Sequence, residues 1–321
     1  MITRVAILGA TGFVGRNVAE AFAAEPGFAV VGVRHKRRSF SHPHIAWVDA
    51  DLTTQAGVDA ALAEVDLVVH AAAATAGSAA NMGDPLALVV DNQIMTARIF
   101  ASAHKRGIAH VIWFSCAVMY ADTPDPQRED DYDPRAPLHP AYEGAATTKV
   151  YFERMAAWYA RLGRTRFTAL RHTNIYGPHD KYDLLRSHVC GATITKALTA
   201  TDGKLVHWGT GKAERDLLHA DDLCAAVLAV AKRQSEPFGL FNVGAGHTTS
   251  TLDLAKRIVA AAGLDLHIEL DRSRPSIDTR TALDCTRFRE RFGWAPRVAL
   301  DDGLKRTIDW WRKNRPDRAS P

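Results

Sequence analysis

The apolar run Arg4-Val5-Ala6-Ile7-Leu8 leads directly into Gly9-Ala10-Thr11-Gly12-Phe13-Val14-Gly15, and an Ala-rich stretch follows at once. Glycine at these positions permits a tight turn, lets a phosphate approach bare backbone and lets the next helix pack closely. The helix N-terminus adds N–H donors and the positive end of a dipole. Such spacing is weak evidence by itself. A strand before it, a helix after it and a second strand, FAVVGV, at the expected distance make it a dinucleotide-binding loop. Ala71 and Ala72, at the end of DLVVHAA, are expected to line it.

β-rich runs alternate with Ala-rich stretches through the first half of the chain. We read strands at RVAILG, FAVVGV, IAWVDA, DLVVHAA, HVIWFSC and FTALRHTNIYG, and helices over 17–24, 93–105 and 147–162. That alternation predicts an α/β fold with a doubly wound parallel sheet. Residues 121–140, rich in Pro and Asp, are expected to form a surface loop. Beyond residue 177 the alternation loosens into a smaller mixed lobe, with a helix near 187–200 and a strand near 204–208. The expected division is a dinucleotide-binding domain over 1–176 and a mainly substrate-binding lobe over 177–321, part of 220–245 returning to the first.

The 321 residues are 47% hydrophobic and 24% charged, enough for a large core and unlike a disordered or fibrous chain. No apolar run has the ~18 residues of a membrane span, and the N-terminus lacks a signal-peptide layout, so the expected location is the cytoplasm. A formal charge of +4 does not suggest a nucleic-acid partner. Cys116, Cys190, Cys224 and Cys285 lie far apart and are expected to be free thiols. His42-Pro43-His44 has no acids or cysteines beside it, so no metal is expected.

At the end of the second strand a carboxylate would accept hydrogen bonds from a ribose 2'-hydroxyl, whereas a basic residue would pair with a 2'-phosphate. The residues there are Arg34-His35-Lys36-Arg37-Arg38. A solvated basic loop would look the same, but the position favours NADP(H), with NAD(H) second. Asp51 and Leu52, after the third strand, are expected beside the adenine.

These elements, with VVHAAA, FSCAVMY, Lys149-x-x-x-Glu153, Asn174-Ile175-Tyr176-Gly177-Pro178 and RDLLHADD, resemble the extended short-chain dehydrogenase/reductases, the NAD-dependent epimerase/dehydratase family. The resemblance covers nearly the whole chain. Within the family, NIYGPHD, SHV and HWGTG are most similar to the GDP-L-fucose synthases, which epimerise and then reduce a 4-keto nucleotide sugar with NADPH. The resemblance implies a homodimer formed through two helices beside the sheet. It also implies a Ser or Thr that orients a sugar oxygen, a Tyr that exchanges its proton, and a Lys that lowers the phenol's pKa and holds the nicotinamide ribose.

Lys149 matches that lysine, although a surface i,i+4 ion pair with Glu153 would explain both residues equally well. The tyrosine position is Ala145. Tyr142 would lie about 10 Å from Lys149 along a helix axis, too far to stand in unless the chain loops there. The hydroxyl position is Cys116, with Ser115 beside it, and Val118 occupies the place of the epimerising cysteine. His188 matches the family's second epimerising residue. A natural divergence and an introduced Tyr-to-Ala change both fit; retention of the other elements favours the second. Either way turnover should fall by roughly 10^2 to 10^4.

On the substrate side the resemblance assigns a nucleoside diphosphate to Arg215 and the sugar to Asn174 and His188. Trp208 is a candidate to stack on a base, and Arg280 a further candidate for the diphosphate. The expected activity is NADP(H)-dependent 4-reduction or epimerisation of a GDP-linked 4-keto sugar. An NAD-dependent 4-epimerase and a non-catalytic dinucleotide sensor are the rival readings.

Overall fold

The computed structural model describes residues 2–74, 86, 89–184, 187–274 and 277–314. Its strands are β1 (Thr3–Leu8), β2 (Phe28–Arg34), β3 (Ile45–Asp49), β4 (Leu67–His70), β5 (His110–Cys116), β6 (Arg166–His172), β7 (Asn174–Tyr176), β8 (Lys204–Trp208), β9 (Glu214–His219), β10 (Phe238–Val243), β11 (Thr248–Ser250) and β12 (His267–Asp271). Seven of them form one sheet in the order β10-β6-β5-β4-β1-β2-β3, and every neighbouring pair in it is parallel. The order reverses direction between β1 and β4. Helices leave the two sides of that point on opposite faces, which opens a crevice at the carboxyl ends of the strands.

Side chains alternate across the sheet with period two, so β1 feeds two cores. Val5 and Ile7 pack with Val18, Phe22 and Val227, from the helices Phe13–Ala24 and Ala220–Arg233. Ala6 and Leu8 pack with Ile99, Phe100 and Phe152, from the helices Val90–Arg106 and Glu143–Arg161. Burying a side chain such as Phe22 contributes about 1.5–3 kcal/mol. Coverage on both faces explains why the strands read as continuous apolar runs.

FTALRHTNIYG, expected as a single strand, is two. The backbone leaves the main sheet at Thr173, whose N–H donates to the Val243 carbonyl and whose hydroxyl donates to the Asp216 carbonyl. β7 then joins β9 and β11 in a three-stranded sheet. β8 and β12 pair separately. A third core lies among the helices Val189–Thr199, Thr251–Ala261 and Leu300–Asn314, with Ile194, Ile258, Leu304 and Ile308 at its centre.

The expected surface loop over 121–140 is only partly at the surface. Gln127 bridges to Leu283, and a short 3-10 turn at Glu129–Asp131 buries the Glu129 carboxylate, which accepts from the Asn242 N–H at 2.7 Å. That turn closes over a buried network. Arg171 on β6 donates to both Glu153 oxygens, at 2.9 and 2.6 Å, to the Tyr120 hydroxyl at 2.7 Å and to the Glu129 carbonyl at 3.0 Å. The Ser115 hydroxyl donates to Glu153 at 2.5 Å.

Removing one partner of a buried ion pair strands the other. Glu153→Ala is therefore expected to destabilise the fold by about 3–5 kcal/mol, read as a lowered urea midpoint. A loss below about 1 kcal/mol would mean that water reaches the pair.

Candidate active site

Two glycines build the floor of the crevice. Gly9 has φ +79°, and a Cβ there would lie 2.7 Å from Ala72 Cα; a Cβ on Gly15 would lie 2.1 Å from the Gly9 carbonyl oxygen. Any side chain would force the loop apart. Gly12 caps the Phe13–Ala24 helix without a side-chain hydrogen bond, so the first-turn N–H groups keep donors for an outside acceptor. Thr11, Phe13 and Val14 are part-buried along the same turn. This backbone cradle suits a pyrophosphate.

At the tip of β2 the basic run is partly neutralised by carboxylates that its sequence did not reveal. The Arg34 guanidinium meets Asp49 at 2.5 and 2.9 Å, and His35 lies 3.8 Å from Asp51. Asp51 also accepts from the Thr53 N–H and hydroxyl, which hold its carboxyl below the usual range. Leu52 is buried beside it. Lys36, Arg37 and Arg38 remain exposed.

The Glu143–Arg161 helix carries Lys149 to the ends of β4 and β5. Its ammonium donates to the Phe114 carbonyl at 2.7 Å and stands 4.7 Å from the centre of the Trp113 ring. Burial pushes its pKa down. Glu153, which the sequence allowed as its ion-pair partner, belongs instead to Arg171. Ser115 is fully buried and bonded to the same carboxylate. Cys116, one residue on, is part-buried, and burial pushes its thiol pKa up despite the charge of Lys149. Ala145 is also part-buried, one turn before Lys149, with no proton to transfer.

Sequence reasoning missed His172. It pairs with Cys116 in the β5–β6 register. Its Nδ1 lies 2.7 Å from the Thr173 carbonyl, which can only accept, so Nδ1 carries the proton and Nε2 the lone pair. Burial, then Lys149 and His188, hold its pKa at about 4, and the ring is neutral. Its position at the end of a predicted strand was the available signal.

Facing this edge, a cavity of about 350 Å³ is bounded by Val118, Tyr142, Thr173, Asn174 and Arg215 among others. The Arg215 guanidinium is locked by the carbonyls of Glu214, Thr279 and Ile277, each at 2.7 Å. That clamp accounts for its orientation and leaves its charge uncompensated by any carboxylate ion pair among the described residues. His188 caps the Val189–Thr199 helix, and burial together with Lys181 and Arg215 pushes its pKa down. Arg280 pairs with Glu214 at 3.1 Å. Trp208 lies between the Lys196 ammonium, 4.1 Å from its ring centre, and the Arg274 guanidinium at 5.2 Å; both cations already occupy its surroundings.

A glycine cradle at the reversal of strand order and a part-buried lysine at the adjacent strand ends define a Rossmann-type dinucleotide-binding fold, and a nearby cavity carries an arginine on its wall. The chain belongs to the NAD dependent epimerase/dehydratase family, whose model matches residues 5–244. It is 29% identical over 320 residues to the GDP-L-fucose synthase of Sinorhizobium fredii, covering 98% of this chain and 97% of that one. It is 26% identical over 318 residues to the dTDP-4-dehydro-6-deoxy-D-allose reductase of Streptomyces bikiniensis, covering 96% of each. In fold it is similar to the UDP-glucose 4-epimerase of Thermotoga maritima solved with UDP-glucose, with a TM-score of 0.83, 23% identity and coverage of 98% and 99%.

Because Gly15 sits on the Gly9 carbonyl, Gly15→Ala should weaken nicotinamide dinucleotide binding by up to about 3 kcal/mol, about 100-fold, in a fluorescence titration. Unchanged affinity would mean that the loop does not form the binding floor.

Proposed function

We propose that the protein is an NADP(H)-dependent reductase or epimerase of a 4-keto nucleotide sugar, GDP-linked. The observation that carries this reading is a pair of cations held by main-chain carbonyls, Lys149 at the ends of β4 and β5 and Arg215 on the wall of the cavity, each part-buried and each without a carboxylate ion pair among the described residues. Two part-buried cations without an ion-pair partner attract anions from outside. A guanidinium presents paired donors that match a diphosphate, while Lys149 lies where a nicotinamide ribose would be held.

A bound NADPH supplies hydride. The chain's own residues then bind and orient: Gly9, Gly12 and Gly15 take the pyrophosphate, Lys36 with its basic neighbours the 2'-phosphate, and Arg215 the sugar's diphosphate. Asn174 and His188 approach the sugar. With Val118 in place of a second thiol, simple 4-reduction is favoured over epimerisation followed by reduction. Alanine at 145 leaves proton transfer to another group, or slows it by about 10^2 to 10^4.

The pairing of Arg34 with Asp49 supports one rival, NAD-dependent 4-epimerisation, because it removes the first cation from a 2'-phosphate. Coenzyme titration separates the two. NADPH should bind at least about tenfold more tightly than NADH, and Lys36→Glu should abolish that preference, a change of about 1.4 kcal/mol. A native preference for NADH would transfer the assignment to the epimerase. Titration with GDP-, UDP-, CDP- and dTDP-linked sugars should show the GDP sugar tightest, and binding of none would point to a dinucleotide sensor.

A homodimer is part of the same proposal. Val90 and Ile94 on one helix and Tyr151, Trp158 and Leu162 on or just after its neighbour are exposed. Trp158→Glu should shift the protein from dimer to monomer in sedimentation at micromolar concentration; an unchanged sedimentation coefficient would remove these helices from the interface.

A further inference from the structure

Alanine at 145 leaves open which group gives the proton to the sugar oxygen. The structure narrows the candidates. Ser115 donates to Glu153, Tyr120 donates to Asn242 at 2.8 Å while accepting from Arg171, and the Thr173 hydroxyl donates to Asp216. Tyr176 donates to the Leu300 carbonyl and Tyr182 to the Gly177 carbonyl. Each of these hydroxyls already has a partner.

Tyr142 differs. The helix starts at Glu143, so Tyr142 is its cap: its carbonyl accepts from the Ala146 N–H at 2.8 Å, and its own N–H donates to the His139 carbonyl at 2.8 Å. The backbone at Tyr142 is itself helical, so the residue stays about 10 Å from Lys149 along the axis, and what lets it stand in for position 145 is its place on the cavity wall. The cap puts Tyr142 one turn before Ala145, at i−3, on the face that the absent side chain would occupy. Its ring borders the same cavity as Val118, Asn174 and Arg215, and its hydroxyl makes no hydrogen bond among the described residues. Burial raises the phenol's pKa and the Arg215 charge opposes that rise.

Resting on the reductase/epimerase reading above, we infer that Tyr142 is the proton donor to the sugar's keto oxygen, replacing the phenol missing at Ala145. In the reductive direction the C=O π pair moves onto oxygen, which takes the phenolic proton as the O–H bond of Tyr142 breaks. The carbon gains its new C–H bond from the hydride of the reduced nicotinamide, which is thereby oxidised, and water returns a proton to the phenolate. Arg215 favours the phenolate formed in between.

The test compares native protein, Tyr142→Phe, Ala145→Tyr and the double variant. Each is assayed for NADPH oxidation with the GDP-, UDP-, CDP- and dTDP-linked 4-keto-6-deoxyhexoses, and titrated calorimetrically with NADPH and with the corresponding 4-hydroxy sugar nucleotides. Native turnover should fall at least about 100-fold in Tyr142→Phe, with KM and NADPH affinity within threefold. The second phenol should restore it to within tenfold in the double variant. The 4-hydroxy sugar nucleotide should bind Tyr142→Phe about threefold to tenfold more weakly, the loss of one hydrogen bond. Native turnover retained in Tyr142→Phe would overturn the inference and leave the reductase/epimerase reading standing. A native chain that is inert until Ala145→Tyr is made would do the same. Inertness of both native protein and Ala145→Tyr on all four sugars would instead defeat the reading itself.

Discussion

The buried pair between Arg171 and Glu153 fixes the geometry on which the site depends. It ties β6 to the middle of the Glu143–Arg161 helix, with contacts of 2.6 and 2.9 Å, and it recruits Ser115 from β5 and Tyr120 from the following loop. Lys149 is one turn from Glu153 on that helix. Its distance from the strand ends is thus set by a contact that water does not reach. In so dry a place the pair adds little net stability over an apolar replacement; its contribution is to hold one helix in one register against one strand.

The consequence is two cations held at fixed points of the site. Lys149 is held by a main-chain carbonyl of β5, and Arg215 by three carbonyls around β9 and the 277–279 segment. Carbonyls orient a cation without cancelling its charge, so both keep their attraction for anions in a medium where charge is poorly screened. Near Lys149 the imidazole of His172 stays neutral, chiefly through burial and then through the lysine's charge. It can accept a hydrogen bond there and adds no positive charge.

Much of this was legible in the chain. The parallel fold followed from alternating apolar and Ala-rich runs, and the glycine loop from three glycines, two of which, Gly9 and Gly15, have no room for a side chain. Lys149, Arg215, Asn174 and His188 were all picked out by position in recognisable motifs. What sequence could not show was pairing between distant residues. Arg34 looks unopposed until β3 brings Asp49 alongside, and Glu153 looks like a surface partner of Lys149 until β6 supplies Arg171. FTALRHTNIYG has no Gly or Pro beside Thr173 to mark the break there; the break is made by hydrogen bonds to residues 43 and 70 positions later. For Tyr142, too, only the observed start of the helix shows that it is the cap.

The most direct measurement is a crystal structure of the protein grown with NADPH and GDP. The account predicts pyrophosphate over Gly9 to Gly15, nicotinamide ribose within hydrogen-bond distance of Lys149 Nζ, and the GDP diphosphate on Arg215. A crevice empty at saturating coenzyme, or Lys149 turned out to solvent, would contradict it.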